Sequence, residues 1–298
     1  KRWGKNISKP LPPSWKKTFN RLDFIKDVYC KVDDYIEIIK DNGINTMVVD
    51  TQDEEIKFMC VNESAMIKKY LQEQAGFKVF MSATIGNPND FIKIMGIQNA
   101  KIIKLNSTFD FSKSPIIFID RHKLSFRERE KNLPKVVSIL DQIISKHKNH
   151  RGIIHTGSYA FTNYIKKNSK HTFRIIDYEN SKEKGQSLEL FKKKKNAVLI
   201  GPSLLEGLDL KDDISRFQIF FKVPYPSLAD PLIKAKLNYN PKFYDWKTSN
   251  NLLQGVGRSV RNSKDWAITY ILDSCFNSLL MKPNNFSHEF RNRIKIIN

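Results

Sequence analysis

The sequence predicts an α/β protein, a parallel sheet flanked by helices, with a smaller α+β segment ahead of it. Three observations lead there. Beyond Pro115, apolar runs of strand length alternate with longer stretches of helical period, the pattern of parallel strands joined by crossover helices. Before residue 105, one long helical period precedes two short strands, which is a different organisation. Between them, residues 106–114 lack any period and are rich in Ser, Thr, Asn and Asp, as a linker would be. The expected domains are therefore 1–105 and 115–298, joined by 106–114.

Each element follows from its residues. Residues 1–14 are basic and carry Pro10, Pro12 and Pro13, which favours an extended arm. From Trp15, the residues Phe19, Leu22, Ile25, Tyr29, Val32, Ile36 and Ile39 recur every three or four positions and predict an amphipathic helix ending near Asn42-Gly43. Residues 46–51 and 56–61 read as strands about the polar turn Gln52-Asp53-Glu54, and Asn62 as the cap of a helix reaching Gln74. Residues 77–81 predict a short buried strand ending on Ser82-Ala83-Thr84, followed by a helix over 90–95. In the second part, strands are expected at 116–119, 152–155, 173–177, 197–201, 217–222 and 268–272. Helices are expected at 127–148, 159–167, 187–194 and 228–237. Crossovers between parallel strands are right-handed and gather functional loops at the carboxyl ends of the strands.

Composition narrows the class. Across 298 residues, 40% are hydrophobic and 28% charged, which fits a globular protein and excludes collagen-like or disordered chains. No apolar run is long enough to span a bilayer, so no membrane partner is expected. The opening Lys1-Arg2-Trp3-Gly4-Lys5 leads into Pro-rich sequence and not into the apolar stretch of a signal peptide. Cys30, Cys60 and Cys275 are far apart and lack CxxC spacing; they read as buried thiols in a reducing, cytoplasmic or nucleoid-associated setting. Lys and Arg number 51 against 31 Asp and Glu, a net charge of +20, and such a field draws phosphate backbones.

Several segments carry chemistry. Gln254-Gly255-Val256-Gly257-Arg258-Ser259-Val260-Arg261 fits QxxGRxxR. If helical, it sets Gln254, Arg258 and Arg261 on one face, an amide and two guanidiniums suited to phosphate oxygens. Two glycines in one helix cost about 1 kcal/mol each relative to alanine, unless something packs against the backbone there. The loop Gly201-Pro202-Ser203-Leu204-Leu205-Glu206-Gly207-Leu208-Asp209 follows a predicted strand and brings amides and two carboxylates together. His155-Thr156-Gly157-Ser158-Tyr159 follows another, with His155 read as a strand-end residue and not a catalyst. Val223-Pro224-Tyr225-Pro226 follows a third. There is no HExxH pair, no GxxxxGK[ST] loop and no DEAH-type tetrad; Asp53-Glu54-Glu55 reads as a solvated turn.

In this order and spacing the segments resemble superfamily 2 helicases of the XPD/DinG type: Ser82-Ala83-Thr84 is similar to motif III, 155–159 to motif IV, 201–209 to motif V and 254–261 to motif VI. The resemblance implies that residues 115–298 form the second RecA-like motor domain, and residues 1–105 the end of motor domain 1 with part of its helical insertion. It implies an ATP-dependent DNA helicase or translocase moving 5′ to 3′, with ATP and Mg2+ shared with the rest of motor domain 1 of the same protein. Arg258 and Arg261 would act as phosphate clamp and arginine finger, in either assignment, and Gln254 would order the attacking water. Glu206, Gly207, Asp209, Ser82 and Thr84 would bind nucleotide or couple its state to the strand. Thr156, Ser158, Tyr159, Ser203 and Tyr225 would face single-stranded or fork DNA, although Tyr159 and Tyr225 serve equally well as core residues. The expected protein is monomeric, the chain alone inactive, no metal site is carried by its own residues, and the sequence is silent on an iron–sulfur cluster. Cys275 departs from the family, which has arginine there. The alternative is a non-catalytic nucleic-acid-binding or regulatory module with a helicase-like fold.

Overall fold

The computed structural model describes residues 13–42, 47–52, 55–72, 76–105, 107, 109–180, 182–205, 210, 212–260 and 265–298. The chain divides into two compact units, Lys1–Gly76 and Phe77–Asn298.

In the first unit, helix α1 spans Pro13–Asn42, and strands β1 (Met47–Gln52) and β2 (Glu55–Cys60) form an antiparallel hairpin in which Met47 faces Cys60 and Gln52 faces Glu55. Asp53 and Glu54 lie outside the described residues. Asn62 accepts a hydrogen bond from the Ser64 amide at 3.2 Å and starts α2 (Ser64–Ile67), which continues as a π-helical turn over Lys68–Gln72. The cysteines depart from expectation. Cys30 is exposed on α1, where neighbouring side chains are in water too, and Cys60 and Cys275 are only half-buried.

The second unit is built on a seven-stranded sheet: β3 (Ile116–His122), β4 (Gly152–His155), β5 (Ile175–Ile176), β6 (Val198–Gly201), β7 (Phe217–Phe220), β8 (Ile268–Asp273) and β9 (Ile294–Ile297). Its order is β5-β6-β4-β7-β8-β3-β9, and every neighbouring pair is parallel. Helices α3 (Pro88–Ile94), α4 (Arg129–Lys146), α5 (Tyr159–Asn168), α6 (Lys184–Lys193), α7 (Pro231–Tyr239), α8 (Pro241–Val256), α9 (Phe276–Leu280) and α10 (His288–Asn292) complete the unit.

Strand alternation explains the two buried faces. Ile154, Ile200 and Ile219 turn to the side covered by α4 and α5, where Leu140, Ile144 and Ile165 meet them. Phe118, Phe220 and Ile271 turn to the other side, against Leu252 and Val256 of α8 and Phe276 of α9. Each such fully buried side chain contributes about 1.5–3 kcal/mol. The central strands are therefore apolar on both faces, as parallel strands under two helix layers must be.

Two strand expectations are corrected. Residues 77–81 form no strand: Phe77 and Met81 are 86% and 91% exposed. A strand needs a neighbouring ladder, and among the described residues none pairs with this segment. Residues 173–177 reduce to the two-residue β5, preceded by a tight turn over Thr172–Arg174. The turn carries the Arg174 guanidinium inward, where it donates to the carbonyls of Ile144, His147, His150 and Asn196 at 2.7–3.0 Å. An arginine thus satisfies the carbonyls at the end of α4 that the helix itself leaves open.

Candidate functional site

Because every pair in the sheet is parallel, the loops after β3, β4, β6, β7 and β8 leave from one edge. The loop after β6 begins at Gly201, where an added Cβ would lie 2.4 Å from the Tyr178 ring; only glycine lets that ring in. The Tyr178 hydroxyl accepts from the amide of Ser203 at 3.1 Å and fixes the start of the loop, and burial pushes that phenol up to about 12. Leu204 is fully buried. Glu206, Gly207 and Asp209 lie outside the described residues.

Helix α8 packs on the sheet face next to this loop, with Leu252 and Val256 against Phe220 and Ile271. Asn240 caps it, its side chain accepting from the Lys242 amide, and Pro241 sits at the first helical position. The two glycines near its end have different reasons. A Cβ on Gly255 would lie 2.6 Å from the Phe220 ring and 2.7 Å from a Leu205 methyl, so this glycine allows the helix to touch both the sheet and the loop after β6. Gly257 is the C-cap, and a Cβ there would meet only helix carbonyls at 3.6 Å.

The helix ends at Val256, so Arg258 lies beyond its last turn and does not share a helical face with Gln254. There its Nε donates to the Leu205 carbonyl at 2.8 Å, directly before the Glu206–Asp209 stretch. Arg261 lies outside the described residues. The flanking chain is pinned on both sides. Ser259 is buried with its hydroxyl 2.8 Å from that of Ser215, and buried Asp265 accepts from Arg216 at 2.6 Å and from the Asp212 amide at 3.2 Å.

Beneath the end of α8 lies a buried polar chain that spacing did not reveal. Gln218, inside β7, donates from Nε2 to the Val256 carbonyl and to Thr269 Oγ1, both at 2.9 Å, and its Oε1 is 3.5 Å from His155 Nε2. His155 stacks on Phe220 with centroids 4.4 Å apart. Burial pushes its pKa down to about 4, with the Arg258 charge acting in the same direction. His155 is thus a neutral packing and positioning residue, as its strand-end place implied.

On the other side of α8, the Ser82-Ala83-Thr84 segment is clasped to the helix. Trp246 Nε1 and Asn250 Nδ2 both donate to the Ile85 carbonyl, at 3.0 and 3.2 Å. Gly86 follows with φ +76°, and a Cβ there would fall 2.2 Å from Asn250 Oδ1. The Ser82 hydroxyl accepts from the Thr84 amide at 3.1 Å. Ser82 and Thr84 consequently share with Gln254 an open cleft of about 390 Å³, walled by Phe80, Phe91 and Trp246.

The remaining expected residues divide between surface and interior. Ser158 caps α5, accepting from the Phe161 amide, and Tyr159 is 41% exposed beside Tyr178. Ser203 is exposed. Thr156, by contrast, is fully buried with its hydroxyl 2.8 Å from that of Thr162, so its side chain packs inside the domain. Tyr225 is half-buried: it stacks on Tyr244 at 5.5 Å, and its hydroxyl meets that of Ser278 at 3.0 Å. Asp273, which spacing did not single out, is a fully buried anchor. Its carboxylate accepts from the amides of Leu124 (2.9 Å), Cys275 (3.0 Å) and Val223 (3.2 Å), clipping together the loops after β3, β8 and β7. Burial pushes the Cys275 thiol up to about 12, assisted by Asp273, so it stays an uncharged thiol.

Comparison with known proteins bears on the family and the fold. The family described as the helicase C-terminal domain matches residues 141–293. The chain is 28% identical over 229 residues to the ATP-dependent DNA helicase YoaA of Escherichia coli, covering 72% of this chain and 35% of that protein. It is 29% identical over 228 residues to YoaA of Haemophilus influenzae, covering 71% and 34%. The chain thus spans about a third of the length of these curated relatives. Among solved structures, an apo XPD superposes with a TM-score of 0.59 at 14% identity, covering 99% of this chain and 64% of that one. Xpd4 of S. tokodaii superposes at 0.56 and 17%, covering 78% and 47%. At those identities the likeness is one of fold, a RecA-like parallel sheet flanked by helices. With the profile match covering more than half of the residues and the motifs standing in family order, the chain belongs to the helicase C-terminal domain family, in its XPD/DinG-like superfamily 2 branch.

Proposed function

We propose that the chain supplies the arginine-finger side of the ATP site, and part of the single-strand track, of an ATP-dependent DNA helicase or translocase. The observation that carries the reading is the convergence on α8. Its Gln254 shares a cleft with Ser82 and Thr84, and Arg258 just beyond it bonds the carbonyl that opens the Glu206–Asp209 stretch. The relatives named ATP-dependent DNA helicase support the same chemistry.

In this reading residues 1–105 close motor domain 1 and residues 115–298 are motor domain 2. ATP sits between the motor domains. Arg261 and Arg258 neutralise charge developing on the transferred phosphoryl group, and Gln254 orients the attacking water. Mg2+ belongs in this reading to the nucleotide phosphates and motor domain 1, as the family resemblance implies. Glu206 and Asp209 relay nucleotide state to the loops holding a single strand, which passes 5′ to 3′ as the domains close and open.

Steady-state ATPase assays test this. The 298-residue chain alone should hydrolyse no ATP. In a protein that also carries a phosphate-binding loop and DEAH-type box, Arg261→Ala should cut turnover by on the order of 10³-fold or more. Turnover by the isolated chain that vanished on Arg261→Ala would overturn the half-site reading. Oligonucleotide affinity should be independent of sequence and fall steeply with salt.

A further inference from the structure

At the edge where the strand-end loops leave the sheet, the loop after β3 holds a bare aromatic ring in water. Phe126 is 81% exposed, and the guanidinium of Arg129 lies 4.7 Å from its ring centroid. An exposed phenylalanine means little on a mobile loop, but this loop is fixed at both ends. Leu124 is fully buried and its amide donates to Asp273 at 2.9 Å. Asn132 of α4 donates to the Lys123 carbonyl at 2.8 Å, and the Ser125 hydroxyl donates to Glu128 at 2.9 Å. The ring is therefore held out by a rigid frame.

Its surroundings are cationic. Between Arg121 and Lys131 the chain carries five Lys and Arg against two Glu, and the Lys123 and Arg127 side chains are exposed. The place matters as well. Asp273 ties this loop to Val223 and hence to the Val223-Pro224-Tyr225-Pro226 segment, and β3 stands three strands from β4, whose loop carries Ser158 and Tyr159. At about 4.8 Å per strand that is about 14 Å along one edge.

We propose that Phe126, backed by the Arg129 guanidinium, is a base-stacking platform for single-stranded nucleic acid. The proposal deepens the nucleic-acid reading above and rests on it. A flat ring with a cation on it suits a nucleobase of any identity, because every base has a π-face, while Lys123 and Arg127 are placed to meet phosphates. The rigid frame lowers the ordering cost of the contact.

The experiment uses the 298-residue chain and a fluorescein-labelled twenty-nucleotide oligo-dT, read by anisotropy, with unlabelled oligo-dT for the emission measurement. Phe126→Ala should weaken binding about 5- to 150-fold, the range for losing one stacked base, without moving the thermal midpoint. Phe126→Trp should keep wild-type affinity and add an emission that oligo-dT quenches over the same concentration range, measured as the difference from the wild type with its four tryptophans. Unchanged affinity in Phe126→Ala, or an added emission in Phe126→Trp that is indifferent to bound oligo-dT, overturns the platform and leaves the nucleic-acid reading intact if the wild type still binds. Failure of the wild type to bind oligo-dT at low salt overturns both.

Discussion

Replacing Gly255 with alanine sets two well-measured effects against each other. Helix propensity alone favours the change by about 1 kcal/mol, since glycine interior to a helix loses more backbone freedom than alanine. Packing opposes it. The new methyl would stand 2.6 Å from the Phe220 ring and 2.7 Å from the Leu205 methyl, so α8 or the loop after β6 must retreat by about 1 Å to reach ordinary carbon contact near 3.5–4.0 Å. Overpacking of this kind costs about 1–3 kcal/mol. The expected net effect is a destabilisation of about 1 kcal/mol, or about 2–4 °C in Tm. Gly257→Ala is the matched control, two residues later at the C-cap of the same helix. Its Cβ meets carbonyls at an ordinary 3.6 Å and its φ of −75° suits alanine, so that variant should be neutral or stabilised by up to about 1 kcal/mol. Urea unfolding of the two variants gives the difference directly. If Gly255→Ala proves as stable as Gly257→Ala or more so, the argument that glycine is there for close approach is wrong. The same substitution should lengthen or break the Arg258 bond to Leu205, visible as faster solvent exchange of the Arg258 Nε proton.

Further outcomes follow from the same geometry. Asp273→Ala strands the buried amides of Leu124, Cys275 and Val223; at about 1–3 kcal/mol each, chemical denaturation should show a loss above about 3 kcal/mol, with faster hydrogen exchange at those amides. His147 and His155 are held neutral by burial with pKa values of about 4, against about 6.5 when unfolded. Unfolding therefore takes up protons below neutrality: their contribution is complete above about pH 6.5 and is lost as pH falls toward 4. Each imposes at most about 1.4 kcal/mol per pH unit, and stability measured at pH 7 and pH 5 that did not differ would contradict this. Gly86→Ala forces a left-handed alanine, at about 1–2 kcal/mol, into Asn250. It should loosen residues 77–86 from α8, raising chymotryptic cleavage after Phe80 several-fold while the sheet melts unchanged.

Much of the sheet was legible because its strands are short apolar runs between turn signals. The expected bounds of 152–155 match β4, and those of β6, β7 and β8 differ by one or two residues. What escaped did so for physical reasons. β9 is four residues, Ile-Lys-Ile-Ile, after an arginine-rich stretch, with no period to announce it. The middle of α8 buries Thr248, Ser249 and Asn250, so its inward face there is polar and interrupts the helical stripe; Asn240-Pro241, a cap followed by proline at the first position, was the available signal. Residues 77–81 look like a core strand because alternation records affinity for a sheet, whether or not a partner strand is at hand. Residue order singled out the candidate segments, but only the fold shows that Leu205 and Arg258 bond, or that Gln218 supports the end of α8.

The carboxylate at the end of β8 has a bearing on how this edge can vary. Since Asp273 holds Leu124, Val223 and Cys275 at once, the backbones of those loops share one fixed point. Substitutions in the loop carrying Phe126 and in the loop carrying Tyr225 should then be non-additive although far apart in sequence, because a shift of either is transmitted through the shared acceptor. Variation of this edge is best confined to tips such as Phe126, which project beyond the anchor, and a library that also randomises Leu124 or Val223 will mostly sample loss of the common support.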